Sequence, residues 1–141
     1  MTRTKTTGLK ARGGRVAVIG ALGLASVALA AAPAFAKGDT EVTAPSTAQV
    51  GETFTVSALG DHDAALYVRA CLESRSGAQA WHQVTCGDVV WTGNGSKATA
   101  HVKAAHRGTQ QYRAVVYGLS DPTDRHPVRL QTSDPVTVNI R

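Results

Sequence analysis

The chain has 141 residues, with 15 Lys and Arg against 10 Asp and Glu, a formal charge of +5 and only two cysteines. All of the excess charge lies on Arg3, Lys5, Lys10, Arg12 and Arg15, and from Lys37 onward ten basic residues balance ten acidic ones. That balance leaves no basic stripe of the kind a nucleic-acid binder needs, and the length allows one modest core.

The first element is an export signal. A basic start, "MTRTKTTGLKARGGR", is followed by the apolar run "VAVIGALGLASVALAAA" and then by "PAFA", whose Ala34 and Ala36 supply the small-x-small cleavage pattern. The apolar run, Val16 to Ala32, is shorter than the ~20 residues a spanning helix needs and is diluted by Ala and Gly. Cleavage after Ala36 is expected, so residues 1–36 are a signal peptide and residues 37–141 are a single mature domain. A secreted protein with no membrane attachment after cleavage follows.

From Glu41 the apolar residues recur with a period of two, the signature of strands. "EVTAP" and "TAQV" lead to a Gly-Glu turn, and in "TFTVSAL" the residues Phe54, Val56 and Ala58 share one face. After the loop "GDHD", the segment "AALYVRACLES" alternates Leu66, Val68, Ala70 and Leu72 against Tyr67, Arg69, Cys71 and Glu73. "RSGA" turns the chain, "QAWHQVTCGDVVWT" returns, and "GNG" turns it again with residues that tolerate positive φ. "SKATAHVKAA" sets Ala98, Ala100, Val102 and Ala104 inward, and "QQYRAVVYG" follows the corner "HRGT". A long loop over 119–133 precedes "PVTVNIR", where Val136, Val138 and Ile140 face inward and Pro135 stands at the first residue. About seven or eight short strands with regular turns, and no helix beyond the signal, predict an all-β antiparallel sandwich.

The two cysteines are Cys71 and Cys86. A structural zinc site needs four ligands and a redox pair is usually C-x-x-C, and this spacing offers neither. In an exported chain the simplest reading is one disulfide. If Cys71 faces Cys86 across a hairpin, Arg69 falls opposite Asp88, Val68 opposite Val89 and Leu66 opposite Trp91, three sensible pairs. Such a loop would stabilise the fold by roughly 3 kcal/mol. Sharing a face with Arg69 and Glu73, the bridge is expected on the outside of its sheet.

Running the strands up and down sorts the loops to two ends. One gathers Asp61, His62, Asp63, Asp121, Asp124 and His126, a candidate binding end whose oxygen and imidazole groups could also suit a divalent cation; solvated polar loops are the alternative. The other gathers Arg75, His106 and Arg107 around a tip at residues 74–79. Held between half-cystines, that tip is either an inert turn or a rigid substrate-like loop of the kind an extracellular protease inhibitor would present. Trp81 and Trp91 are either sheet aromatics or the lining of a small-molecule groove. His101 alternates outward on its strand, and no nucleophile beside a base with an orienting acid can be read.

"GETFTVSALG", "YVRACLESRSGAQAWHQV", "GNGSKATAHVKAAHRGTQQYRAVVYG" and "DPVTVNI" together resemble a bacterial immunoglobulin-like domain, and the likeness spans nearly the whole of residues 37–141. Within "RGTQQYRA", Tyr112 resembles the tyrosine corner of such sandwiches. The antibody-type inter-sheet disulfide is absent, because Ala114 stands two residues on and Val56 or Ala58 on the partner strand. The long basic start resembles small secreted proteins of high-GC Gram-positive bacteria. The resemblance implies an immunoglobulin-like β-sandwich, and the expected role is a monomeric, non-catalytic binding or structural module outside the cell. Its partner would be an extracellular protein or cell-wall component, with no nucleic acid, metal or cofactor; a protease inhibitor and a small-molecule carrier are the alternatives.

Overall fold

The computed structural model describes residues 38–141, and the expected signal peptide lies outside the described residues. Ten strands run in chain order: β1 (Asp39–Thr43), β2 (Thr47–Ala48), β3 (Thr53–Asp61), β4 (Tyr67–Ser76), β5 (His82–Cys86), β6 (Val90–Trp91), β7 (Ser96–Lys103), β8 (Gly108–Leu119), β9 (Val128–Thr132) and β10 (Val136–Ile140). They form two sheets, β1-β3-β7 and β2-β10-β8-β4-β5, with β6 beside β4 and β9 beside β8. The predicted all-β sandwich is therefore present. Two of the ten strands, β2 and β6, are only two residues long.

The period-two faces close the core. Phe54, Val56 and Ala58 of β3 meet Leu72 of β4, Ala98 of β7, Tyr112 and Ala114 of β8, and Val138 and Ile140 of β10 in one cluster. Phe54 and Tyr112 contact edge to face at 6.1 Å, the arrangement favoured by the ring quadrupoles. Gly60 of β3 is required by close approach: a Cβ there would collide with the Val116 side chain.

Breaks in the strands have local causes. After β1 the chain leaves the smaller sheet at Pro45, which has no N–H to donate to a ladder, and β2 then pairs in parallel with β10. Between β9 and β10, Pro135 again interrupts the ladder. There the Ser133 side chain takes over a strand's role, its Oγ accepting from Ala114 N at 2.9 Å while Ser133 N donates to Ala114 O at 2.9 Å. The strand β9 lies inside the stretch expected to be a 119–133 loop, and pairing with β8 is what extends it.

Cys71 and Cys86 are register partners and form the disulfide, with Cα atoms 4.0 Å apart. Beyond the bridge the predicted register fails by one residue. Val68 faces Val90 rather than Val89, Tyr67 rather than Leu66 faces Trp91, and Arg69 is not paired with Asp88. The reason is the segment Gly87–Val89, which leaves the ladder between β5 and β6. Gly87 N donates to Ala70 O at 2.8 Å, Asp88 O accepts from Ser96 Oγ at 2.6 Å, and Arg69 Nε donates to Gly87 O at 3.1 Å. Leu66, expected inward, precedes β4 and is 61% exposed.

Candidate functional site

The odd-numbered residues of β4 point away from the core, and each meets a register partner on the same outer face of the larger sheet. Along β4 the rows are Trp91–Tyr67–Leu119, then Arg69–Tyr117–Arg129, then Cys86–Cys71–Val115–Thr132, then Gln83–Glu73–Arg113, then Arg75–Gln111–Thr137. Eight residues of extended chain separate Tyr67 from Arg75, a strip of roughly 26 Å.

This face is more buried than an outer face should be. The disulfide was expected outside the core, and it is on the outer face, yet Cys71 is covered and Val115 beside it is fully buried. Glu73, only 8% exposed, is covered too. Its Oε2 accepts from Arg113 at 2.7 Å and its Oε1 from Arg129 at 2.8 Å, so the carboxylate is buried with two cations rather than alone. Trp81 lies over the same face, its ring centroid 4.3 Å from the Arg113 guanidinium and 4.6 Å from that of Arg75. At the other end Tyr67 and Trp91 stack at 4.4 Å, and Trp91 is 56% exposed.

Between these ends a groove of about 280 Å³ is lined by Arg69, Cys71, Cys86, Tyr117, Asp124 and Pro127. Among the described residues, two arginines on the strip are held by one nitrogen only. Arg75 Nε donates to Gln111 Oε1 at 2.7 Å, and Arg69 Nε donates to Gly87 O. Neither forms an ion pair among the described residues. The terminal nitrogens of both guanidinium groups remain available for a bidentate acceptor.

The loop residues singled out from sequence divide into two sets. Asp61, His62 and Asp63 line a cleft of about 170 Å³ with Asp39, Thr92 and Gly93. There Asp61 Oδ2 accepts from Gly93 N at 2.8 Å, Asp61 Oδ1 accepts from His62 N at 2.8 Å, and His62 lies 3.8 Å from Asp63. Asp121, Asp124 and His126 instead hold their own hairpin. Asp121 Oδ1 accepts from Thr123 N and Oγ1, both at 2.7 Å. Asp124 accepts from Ser120 N, Ser120 Oγ and His126 N, bonds that hold its carboxyl below the ordinary range. Asp124 also faces the Tyr117 groove rather than the Asp61 cleft. These oxygens serve backbone donors, and among the described residues no three metal-ligating side chains are gathered to hold an ion.

The other end also differs from expectation. β4 continues to Ser76, so Arg75 belongs to the sheet and not to the turn, and it lies half-buried against Gln111 and Trp81. The turn proper is Ser76–Gln79, closed by Gln79 N donating to Ser76 O at 3.1 Å. His106 and Arg107 line a separate pocket with Ser76 and Lys103. His101 is exposed on β7, its Nδ1 3.1 Å from Thr55 Oγ1. Tyr112, expected as a tyrosine corner, is buried in the core, but among the described residues its hydroxyl has no hydrogen-bond partner. The bond to the backbone that characterises a tyrosine corner is not made.

The sequence reasoning missed Glu73, Arg113, Arg129 and Arg69 as a set. The available signal was a charged residue at every second position of β4, Arg69, Glu73 and Arg75, interrupted only by a cysteine. No helix among the described residues is long and apolar enough to cross a membrane. The chain matches no protein-family model, and no curated protein matches it.

Proposed function

We propose that the chain is an exported, non-catalytic immunoglobulin-like module of bacterial type that binds a partner outside the cell through the outer face of its larger sheet. The strand order supports the immunoglobulin-like reading. β1-β3-β7 corresponds to an A-B-E sheet and β10-β8-β4-β5 to a G-F-C-C′ sheet of that architecture. The disulfide accords with an oxidising compartment.

The observation that carries the binding reading is the strip on β4, β8 and β9, where a covered carboxylate holds Arg113 and Arg129, Gln111 holds Arg75, Gly87 O holds Arg69, and Trp81 packs on two of these guanidinium groups. Holding such side chains in place before a partner arrives lowers the entropy lost on binding. The inhibitor alternative has lost its anchor, because Arg75 lies down on the sheet instead of projecting from the tip. The carrier alternative retains the groove beside Tyr117 as a place for a small molecule.

The test is capture with tagged, exported protein from culture medium and from isolated cell wall. A partner retained by the native protein and lost when Trp81 and Arg75 are replaced supports the reading. Retention of nothing from either source overturns it. Native mass spectrometry of the secreted protein distinguishes the carrier, which would arrive with a bound small molecule.

A further inference from the structure

Two guanidinium groups of the outer strip are each anchored through Nε, one in the row of Tyr117 and the other packed against Trp81. Arg69 is held by Gly87 O, and its register partner is Tyr117. Arg75 is held by Gln111 Oε1 and packs against Trp81. Six residues of β4 separate the two arginines, or roughly 20 Å. Arg113 lies between their rows and Arg129 in the row of Arg69, with the charge of both partly met by Glu73.

The charge on this face is unbalanced although residues 37–141 carry equal numbers of acids and bases. Four guanidinium groups stand against the carboxylates of Glu73 and of Asp124 at the groove. The partner therefore carries negative charge. A guanidinium anchored at Nε presents its two terminal nitrogens as a planar fork, which matches a carboxylate. Trp81 and Tyr117 are each half-buried, so part of each ring stays open to whatever bears that carboxylate.

The occupant must also accept a surface that offers side chains and no free backbone. β4 and β8 are both interior strands, and their N–H and C=O groups are used in the ladders. An extended peptide gains most of its affinity by adding to a sheet edge, so the centre of a sheet face is a poor place for one. A sugar chain brings hydroxyl groups for Gln83, Gln111 and Thr137, and C–H faces for the rings.

We propose that the strip binds a linear polysaccharide bearing a carboxylate on its sugar units, with Arg69 and Arg75 each taking one carboxylate and Tyr117 and Trp81 each supporting a ring. This deepens the reading above and rests on it.

Calorimetric titration of the purified protein with polygalacturonate tests the proposal, with neutral dextran and a single-stranded oligothymidylate as comparisons. Heat is expected with polygalacturonate alone. Arg69→Gln and Arg75→Gln should each weaken the binding about tenfold, as loss of one charged hydrogen-bonding group does. Raising the salt should weaken it further. Lys97→Gln and Lys103→Gln, on the exposed face of the other sheet, should leave it unchanged. Arg69 is exposed, so its variant keeps the wild-type melting curve and carries the test if Arg75→Gln melts early.

No heat with polygalacturonate, equal heat with dextran, or binding indifferent to both arginines overturns the proposal. Equally tight binding of the oligothymidylate also overturns it, since the face would then recognise nucleic acid. If a wall or medium partner is captured and lost when Trp81 is replaced but its retention ignores Arg69→Gln and Arg75→Gln, the carboxylated-glycan assignment fails while binding through the outer face stands.

Discussion

Glu73 and Arg113 are cross-strand partners, and both Nε and Nη2 of the arginine reach the same carboxylate oxygen at 2.7 Å. The other oxygen belongs to Arg129. Burying a carboxylate is costly unless its charge and lone pairs are met, and here two guanidinium groups meet them. The pair also places Arg113 against Trp81, so one buried acid holds two of the strip's four arginines.

Removal of the acid should therefore cost more than removal of its outer partner. Glu73→Gln leaves two cations facing a neutral amide, and the expected loss is about 2–4 kcal/mol. Arg113→Ala should cost a similar amount, because this side chain is only 21% exposed. Arg129 is 45% exposed and should cost less than about 1 kcal/mol on truncation to Ala. Urea denaturation midpoints of the three variants decide the order. A larger loss for Arg129→Ala than for Glu73→Gln would contradict this account.

The disulfide closes a separation of 15 residues between adjacent strands of one sheet. Loop-closure entropy predicts that Cys71→Ala with Cys86→Ala lowers stability by roughly 3 kcal/mol. Intact mass after alkylation, with and without prior reduction, should show two reactive thiols only in the reduced protein. An unreduced sample that alkylates twice, or a double variant as stable as the wild type, would remove the clasp from the account.

The cysteine pairing was legible in the sequence, but not for every reason offered. The expected apolar pairs could not detect a slip of one residue, because Val89 and Val90 are equivalent partners for Val68. Leu66 and Tyr67 are likewise both plausible against Trp91. Only the Arg69–Asp88 pair could have discriminated, and it fails along with the two apolar pairs: Arg69 instead bonds Gly87 O. The inward faces of β3 and β7 were readable because one side of each strand is apolar and the other polar. The end of β4 was not, since its last residues are held in the sheet by β8, some 35 residues away in sequence: Arg75 faces Gln111 and Ser76 faces Gln110. For the same reason the strip of arginines was invisible. Arg69, Glu73 and Arg75 could be read as outward, but their neighbours Arg113 and Arg129 are set by strand order, which no local pattern encodes.

Tyr112 provides a test of the core that is independent of the strip. Its ring packs against Phe54, and burial without a hydrogen-bond partner pushes the phenol up to about 12. A buried hydroxyl that bonds nothing is a liability, so Tyr112→Phe should raise stability at neutral pH by about 1 kcal/mol. The pH dependence follows from the same burial. In the unfolded chain the phenol ionises near ~10, whereas the folded protein keeps it neutral to higher pH. Stability from this group is therefore complete below the unfolded value and is lost as pH rises through the folded one, because the unfolded state binds fewer protons in that interval. Urea denaturation of the wild type at pH 9, 10 and 11 should show a decline that is smaller in Tyr112→Phe. Parallel declines in the two proteins, or a Phe variant less stable than the wild type at pH 7, would mean that the hydroxyl is partnered in solution.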